Sequence, residues 1–163
     1  MKKTAAMAIA LSMLTVCIAS AQDKNDFGIG IIIGEPTGLS IKKWLGNDRA
    51  IDAGIAWSFS GNDSLHLHAD YLFHRFDVFS LRAGNGQLPI YYGLGARVKL
   101  KDNNNDKNNN DNDVRVGIRV PLGISYLFAN APFDIFAEIV PVLDIAPDLD
   151  LDLNLAIGAR FYF

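Results

Sequence analysis

From Asp150 to Phe163 the chain alternates. Leu151, Leu153, Leu155, Ile157, Ala159, Phe161 and Phe163 form one set, and Asp150, Asp152, Asn154, Ala156, Gly158, Arg160 and Tyr162 form the other. Side chains on a strand point to opposite faces with period two. The stretch is therefore predicted to be a strand with one apolar face and one polar or small face. Its length matters as much as its pattern. Strands of soluble proteins run about 5–6 residues, whereas a tilted membrane-crossing strand needs about 9–11.

The same period recurs upstream, through Phe27–Ile33, Gly38–Leu45, Arg49–Phe59, Leu65–His74, Leu88–Leu100, Val114–Tyr126 and Phe133–Ile145. Turn-forming clusters separate these runs, among them Gly34-Glu35-Pro36-Thr37, Gly46-Asn47-Asp48, Ser60-Gly61-Asn62-Asp63 and Pro147-Asp148. Arg75 to Gln87 is less regular, with a bend expected at Gly84-Asn85-Gly86. Asp102 to Asp113 is a run of Asn and Asp with one Lys, and nothing in it suits a core. No segment carries a 3.6-residue period and no longer repeat is present. Eight strands are expected. Pro121 and Pro141 fall inside two of them, where each removes a ladder donor, so a bulge or distorted register is expected at both.

Alternation fits either a soluble barrel with its apolar face inward or a membrane barrel with that face outward. Three features favour the second. The polar face is rich in Gly and Ala, as suits a narrow eight-stranded lumen. It carries both signs of charge: Lys42, Arg97, Lys99, Arg115, Arg119 and Arg160 against Asp52, Asp70, Glu138, Asp144 and Asp152. Aromatic residues lie near strand ends on the apolar face (Phe27, Trp57, Phe59, Tyr71, Phe73, Tyr126, Phe161 and Phe163), in the manner of an interfacial girdle. Lys43 shares that face near a strand end, where it can snorkel. The expected fold is all-β: an eight-stranded antiparallel up-and-down transmembrane β-barrel. Closure satisfies the backbone polar groups that hydrocarbon cannot. An even strand number puts both termini in the periplasm, with Gly34–Thr37, Ser60–Ser64, Asp102–Asp113 and Ala146–Asp148 outside.

At 163 residues the chain is sized for one domain. Lys2 and Lys3, the apolar run Ala5–Ile18 and the small-residue site Ala19-Ser20-Ala21 read as an export signal. The expected division is signal peptide 1–21 and barrel domain 22–163. Cys17 lies inside the signal, and the bulky Val16 before it argues against lipidation. No thiol is left for a disulfide or a cysteine metal site. Loss of the two lysines takes the formal charge from −3 to −5, which argues against a nucleic-acid partner.

The terminal Gly158-Ala159-Arg160-Phe161-Tyr162-Phe163 resembles the C-terminal signal read by the barrel assembly machinery, with Gly158, Phe161 and Phe163 at its defining places. Ala156 stands where a polar residue is commoner. Size and strand count are similar to the OmpA transmembrane domain and the OmpX-like barrels. Leu88-Pro89-Ile90-Tyr91-Tyr92-Gly93, Val120-Pro121-Leu122-Gly123 and Ile139-Val140-Pro141-Val142-Leu143-Asp144 resemble a family of small outer-membrane barrels. The resemblance covers most of the mature chain. It implies the outer membrane and the fold, with outer-membrane lipid and the assembly machinery as partners, and it implies no activity.

Four groups of residues bear on chemistry. His66, His68 and Asp70, with His74 further along, share the polar face; two imidazoles and a carboxylate suit a divalent metal, yet parallel side chains on one strand do not converge. Hydrogen-bonded lining residues are the simpler reading. Barrel enzymes that modify lipid A use a His, a Ser and an acid, but every histidine here precedes residue 75 and no nucleophile–base pairing stands out. Asp102, Asn104, Asp106 and Asp113 mimic calcium-loop spacing, but Lys107 stands where the sharp turn needs glycine. The fourth group is the charged face itself. Asp52, Asp70, Arg97, Arg115, Arg119, Glu138 and Arg160 are expected to pair as a lumen network, because isolated buried charges are costly. The expectation is a monomeric, non-enzymatic barrel without cofactor or metal, serving a structural or surface-interaction role. A gated narrow pore and a lipid-modifying enzyme are the alternatives.

Overall fold

A computed structural model describes residues 26–58, 64–79, 86–101 and 113–163. The expected signal at 1–21, Phe59, Gly84-Asn85 and the run 102–112 lie outside them. The described residues form nine strands: β1 Phe27–Glu35, β2 Thr37–Trp44, β3 Arg49–Ser58, β4 Ser64–Arg75, β5 Ile90–Lys101, β6 Asp113–Arg119, β7 Leu122–Leu127, β8 Phe133–Ala146 and β9 Asp150–Tyr162. All pairings are antiparallel: β1 to β5 pair in chain order, β6 and β7 each lie between β5 and β8, and β8 pairs with β9, which pairs with β1 to close the ring. At the turn after β1, the Thr37 hydroxyl donates to the Gly34 carbonyl at 2.8 Å.

Nine strands make eight passes, because β6 and β7 are two pieces of the single run expected at Val114–Tyr126. Pro121 divides it. The prolines do not act as expected, however. β5 pairs Gly95 with Arg119 and Tyr92 with Leu122, and β8 pairs Val142 with Arg119 and Ile139 with Leu122, so the register runs unbroken past Pro121 on both sides. Pro141 lies within β8 opposite Leu153, also without a shift. The bulge falls instead between Val116 and Gly117, facing Ala146 and Asp144. What the prolines cost is hydrogen bonds. The Gly93 N–H donates to Pro121 O at 2.9 Å and the Val120 N–H to Pro141 O at 3.0 Å, but neither proline has an N–H to return.

The register also shows the strands to be tilted. A line of paired residues from Glu35, at the far end of β1, runs through Leu155, Ile139, Leu122, Tyr92 and Phe73 to Arg49, at the near end of β3. Such a spiral accompanies closure of a barrel.

Burial is inverted relative to a soluble protein. Leu94 is 60% exposed on the outer wall, with Ile31, Ile55, Ile118, Ile135 and Ile157 also exposed. Arg97 and Arg160 are 1% exposed inside, and Lys42 is fully buried. An apolar wall of that extent in water would be an association hazard, whereas hydrocarbon suits it. The outer aromatics group as expected near strand ends: Phe133, Phe161 and Phe163 meet edge to face at 4.9–5.0 Å, and Tyr71, Phe73 and Tyr92 form a second cluster.

Candidate functional site

The lumen is filled in three storeys. At the end bearing Phe27 and Phe163, Lys42 on β2 lies 2.8 Å from His74 Nε2 on β4 and 4.0 Å from Asp134 on β8. Its ammonium sits over the Trp44 ring at 4.4 Å and the Tyr91 ring at 5.5 Å. Trp44 and Phe76 pack on His74, and Tyr162 donates to Asp134 at 2.7 Å. An aromatic stopper thus surrounds one cation.

The middle storey centres on two arginines. Arg160 on β9 donates to Asp52 on β3, to Asp134 at 3.3 Å and to the Ser40 hydroxyl at 2.8 Å, while Ser40 donates to Asp52 at 3.1 Å. Its guanidinium lies 3.8 Å over the face of Phe136. Arg119 on β6 stands between two carboxylates, 3.0 Å from Asp70 and 3.7 Å from Glu138, and Tyr91 donates to Glu138 at 2.9 Å. At the opposite mouth Arg97 on β5 grips Asp144 with two bonds of 2.8 and 3.0 Å and also reaches Asp152 at 3.0 Å. Arg115 bonds Asp150 at 3.1 Å. Paired, hydrogen-bonded charges are the condition for burying them, since an isolated one is very costly.

Glycines make room for these groups. Bulky lumen residues face glycine across the ladder: Tyr162 opposite Gly28, Arg160 opposite Gly30, Tyr91 opposite Gly123 and Phe136 opposite Gly158. A Cβ added at Gly158 would enter the Phe136 ring on which Arg160 rests. A void of about 10 Å³ lies beside Arg119, Glu138, His68 and Asn154, room for roughly one water.

All seven residues singled out from the sequence lie here, in two groups. Arg160 with Asp52, and Arg119 with Asp70 and Glu138, fill the middle, while Arg97 and Arg115 stand at the mouth. Asp134, Ser40, Tyr91 and Tyr162 were missing from that set. Asp134 was legible as a charge on the polar face of its strand; the tyrosines needed their glycine partners, which only the register reveals. Of the four residues weighed as a metal site, three turn to separate partners: His66 to Ser64 at 3.0 Å, His74 to Lys42 and Asp70 to Arg119. Among the described residues no three His, Asp or Glu side chains converge as metal ligands do. Of the calcium-like spacing, Asp102, Asn104 and Asp106 lie outside those residues, and Asp113 is the first residue of β6.

A closed antiparallel ring with an apolar exterior and a charged, glycine-lined interior defines a small β-barrel of outer-membrane type. The chain belongs to the family described as "Protein of unknown function (DUF3996)", whose model matches residues 18–162. No curated protein matches it. The N-terminal β-barrel domain of Pseudomonas aeruginosa OprF superposes with a TM-score of 0.64 at 15% identity, over 87% of this chain and 100% of that one. Neisserial surface protein A (NspA) does so with a TM-score of 0.50 at 13% identity, over 84% and 93% respectively. These likenesses bear out the small OmpA- and OmpX-like barrel anticipated from the sequence.

Proposed function

We propose that the protein is an outer-membrane barrel with a structural or surface-interaction role, its lumen closed by its own charge network. The observation that carries this reading is the stack of ion pairs from Lys42 through Arg160 and Arg119 to Arg97, which crosses the lumen at three levels. In this reading residues 1–21 direct export, and Gly158, Phe161 and Phe163 are read by the assembly machinery. The mature monomer then stands among outer-membrane lipids, its termini in the periplasm. It holds no cofactor and performs no chemistry. The Ser64–His66 contact lacks the acid on Nδ1 that would orient such a base. A lipid A profile by mass spectrometry that is unchanged by the protein is expected; an altered profile would revive the enzyme.

One observation favours a second reading, a gated narrow pore. Arg119 lies within ion-pair distance of two carboxylates, Asp70 and Glu138, and can exchange one for the other. Single-channel recording in planar bilayers separates the two readings. The closed reading expects silence from the wild type, Glu138→Ala and Arg119→Ala alike. Discrete conductance steps whose open fraction changes in either variant would establish the pore.

A further inference from the structure

The ring is complete, but its rim is not level. Pairing between β1 and β9 ends at Glu35–Leu155, and β1 then turns away through Pro36. β9 continues beyond that pair to Asp150, bonded on one side only, to β8. Which groups this leaves open follows from alternation. The Phe163 N–H points to β1 and the Tyr162 N–H to the β8 side, so Leu155, Leu153 and Leu151 also direct their backbone groups toward the place β1 has vacated. Leu155 is paired. The Leu153 N–H is taken by the Asp152 carboxylate at 2.9 Å, a stand-in for a strand partner. Leu151 has no backbone partner among the described residues on that side.

We infer that this β9 edge, Asp150 to Asn154, is a docking site for an extended cationic peptide segment that adds to the wall as a further strand. The inference rests on the surface-interaction reading, in which the β8–β9 hairpin faces outward. Hydrocarbon does not cover the edge, because open strand edges do not occur in the hydrocarbon region. Asp150 and Asp152 are 58% and 38% accessible, as in water, although Arg115 and Arg97 hold one oxygen of each. The other oxygen of Asp150 is open, and that of Asp152 is released when a new strand takes over the Leu153 N–H. A second copy fits poorly. Antiparallel self-pairing about Leu151 would set Asp150 of one chain against Asp152 of the other, and like charges directly opposed are destabilising. A strand of alternating basic and apolar residues has the reverse match. Its basic side meets the Asp150 and Asp152 oxygens that Arg115 and Arg97 leave over, its apolar side extends the row of Leu151 and Leu153, and its backbone supplies the missing ladder bonds.

The full chain in lipid nanodiscs and a fluorescent, end-blocked Lys-Val-Lys-Val-Lys-Val-Lys peptide test this by fluorescence anisotropy. Saturable binding is expected, weakened at least tenfold by backbone N-methylation of the peptide, which leaves its charge unchanged. Leu151→Pro is expected to weaken binding similarly, because the nitrogen it blocks points away from β8. Absence of binding, or equal binding by the N-methylated peptide, overturns the inference. So does loss of the edge to a Leu151-dependent dimer. If Leu151→Pro fails to fold, the N-methylated peptide decides with wild-type protein alone. A heat-shifted gel band for the wild type is the separate check on the barrel: its absence would overturn the reading beneath the inference.

Discussion

Arg160 shows what a buried charge demands of a small lumen. Three acceptors and an aromatic face surround it, and glycines stand opposite Arg160 itself, Ser40 and Phe136, where the wall must approach closely. Arg160→Met would leave Asp52 and Asp134 without their main counter-charge. Breaking a buried pair on one side costs about 3–5 kcal/mol, so the urea midpoint for unfolding from lipid vesicles should fall accordingly. A variant as stable as the wild type would mean water already screens those carboxylates. Gly158→Val should cost about 1–3 kcal/mol in the same assay through overpacking against Phe136.

At the scale of the strand, the prolines have a cost the sequence suggested and a geometry it did not. Pro141 faces outward, opposite the Val120 carbonyl, which receives no ladder bond there. Pro141→Ala restores the donor. The gain of a hydrogen bond in a low-dielectric wall should outweigh the roughly 0.4–1 kcal/mol of chain entropy lost with proline. A net stabilisation of about 1 kcal/mol is expected, with slowed exchange of the new amide; destabilisation would show the carbonyl to be satisfied otherwise. Period two made nearly all the passes readable, because each strand must sort its side chains between two unlike surroundings. Pairing was not readable in the same way. Arg160 meets Asp52 across 108 residues of chain, and Arg97 meets Asp144 across 47. Those distances are settled by the register of whole hairpins, which a local pattern does not encode. The step between β9 and β1 escaped for the same reason: it depends on where β1 stops relative to Leu155.

The whole molecule is an inside-out protein, with charge packed where a soluble domain keeps leucine. That inversion has an energetic signature. Leu94→Arg, in the exposed wall of β5, should destabilise the folded state by about 2–4 kcal/mol if it lies near the bilayer midplane. Leu151→Arg, 76% exposed beyond the end of β1, should cost about 0–1 kcal/mol. Equal costs at both sites would show that no hydrocarbon band surrounds the wall.

The chain carries its own reporters of which face meets lipid. It has two tryptophans: Trp57 is 45% exposed on the outer wall, and Trp44 is packed inside against His74. In vesicles of chain-brominated phosphatidylcholine, the Trp44→Phe variant, which retains Trp57, should lose most of its fluorescence relative to unbrominated lipid. The Trp57→Phe variant, which retains Trp44, should be nearly unaffected. Quenching of Trp44 with sparing of Trp57 would contradict the orientation of every strand.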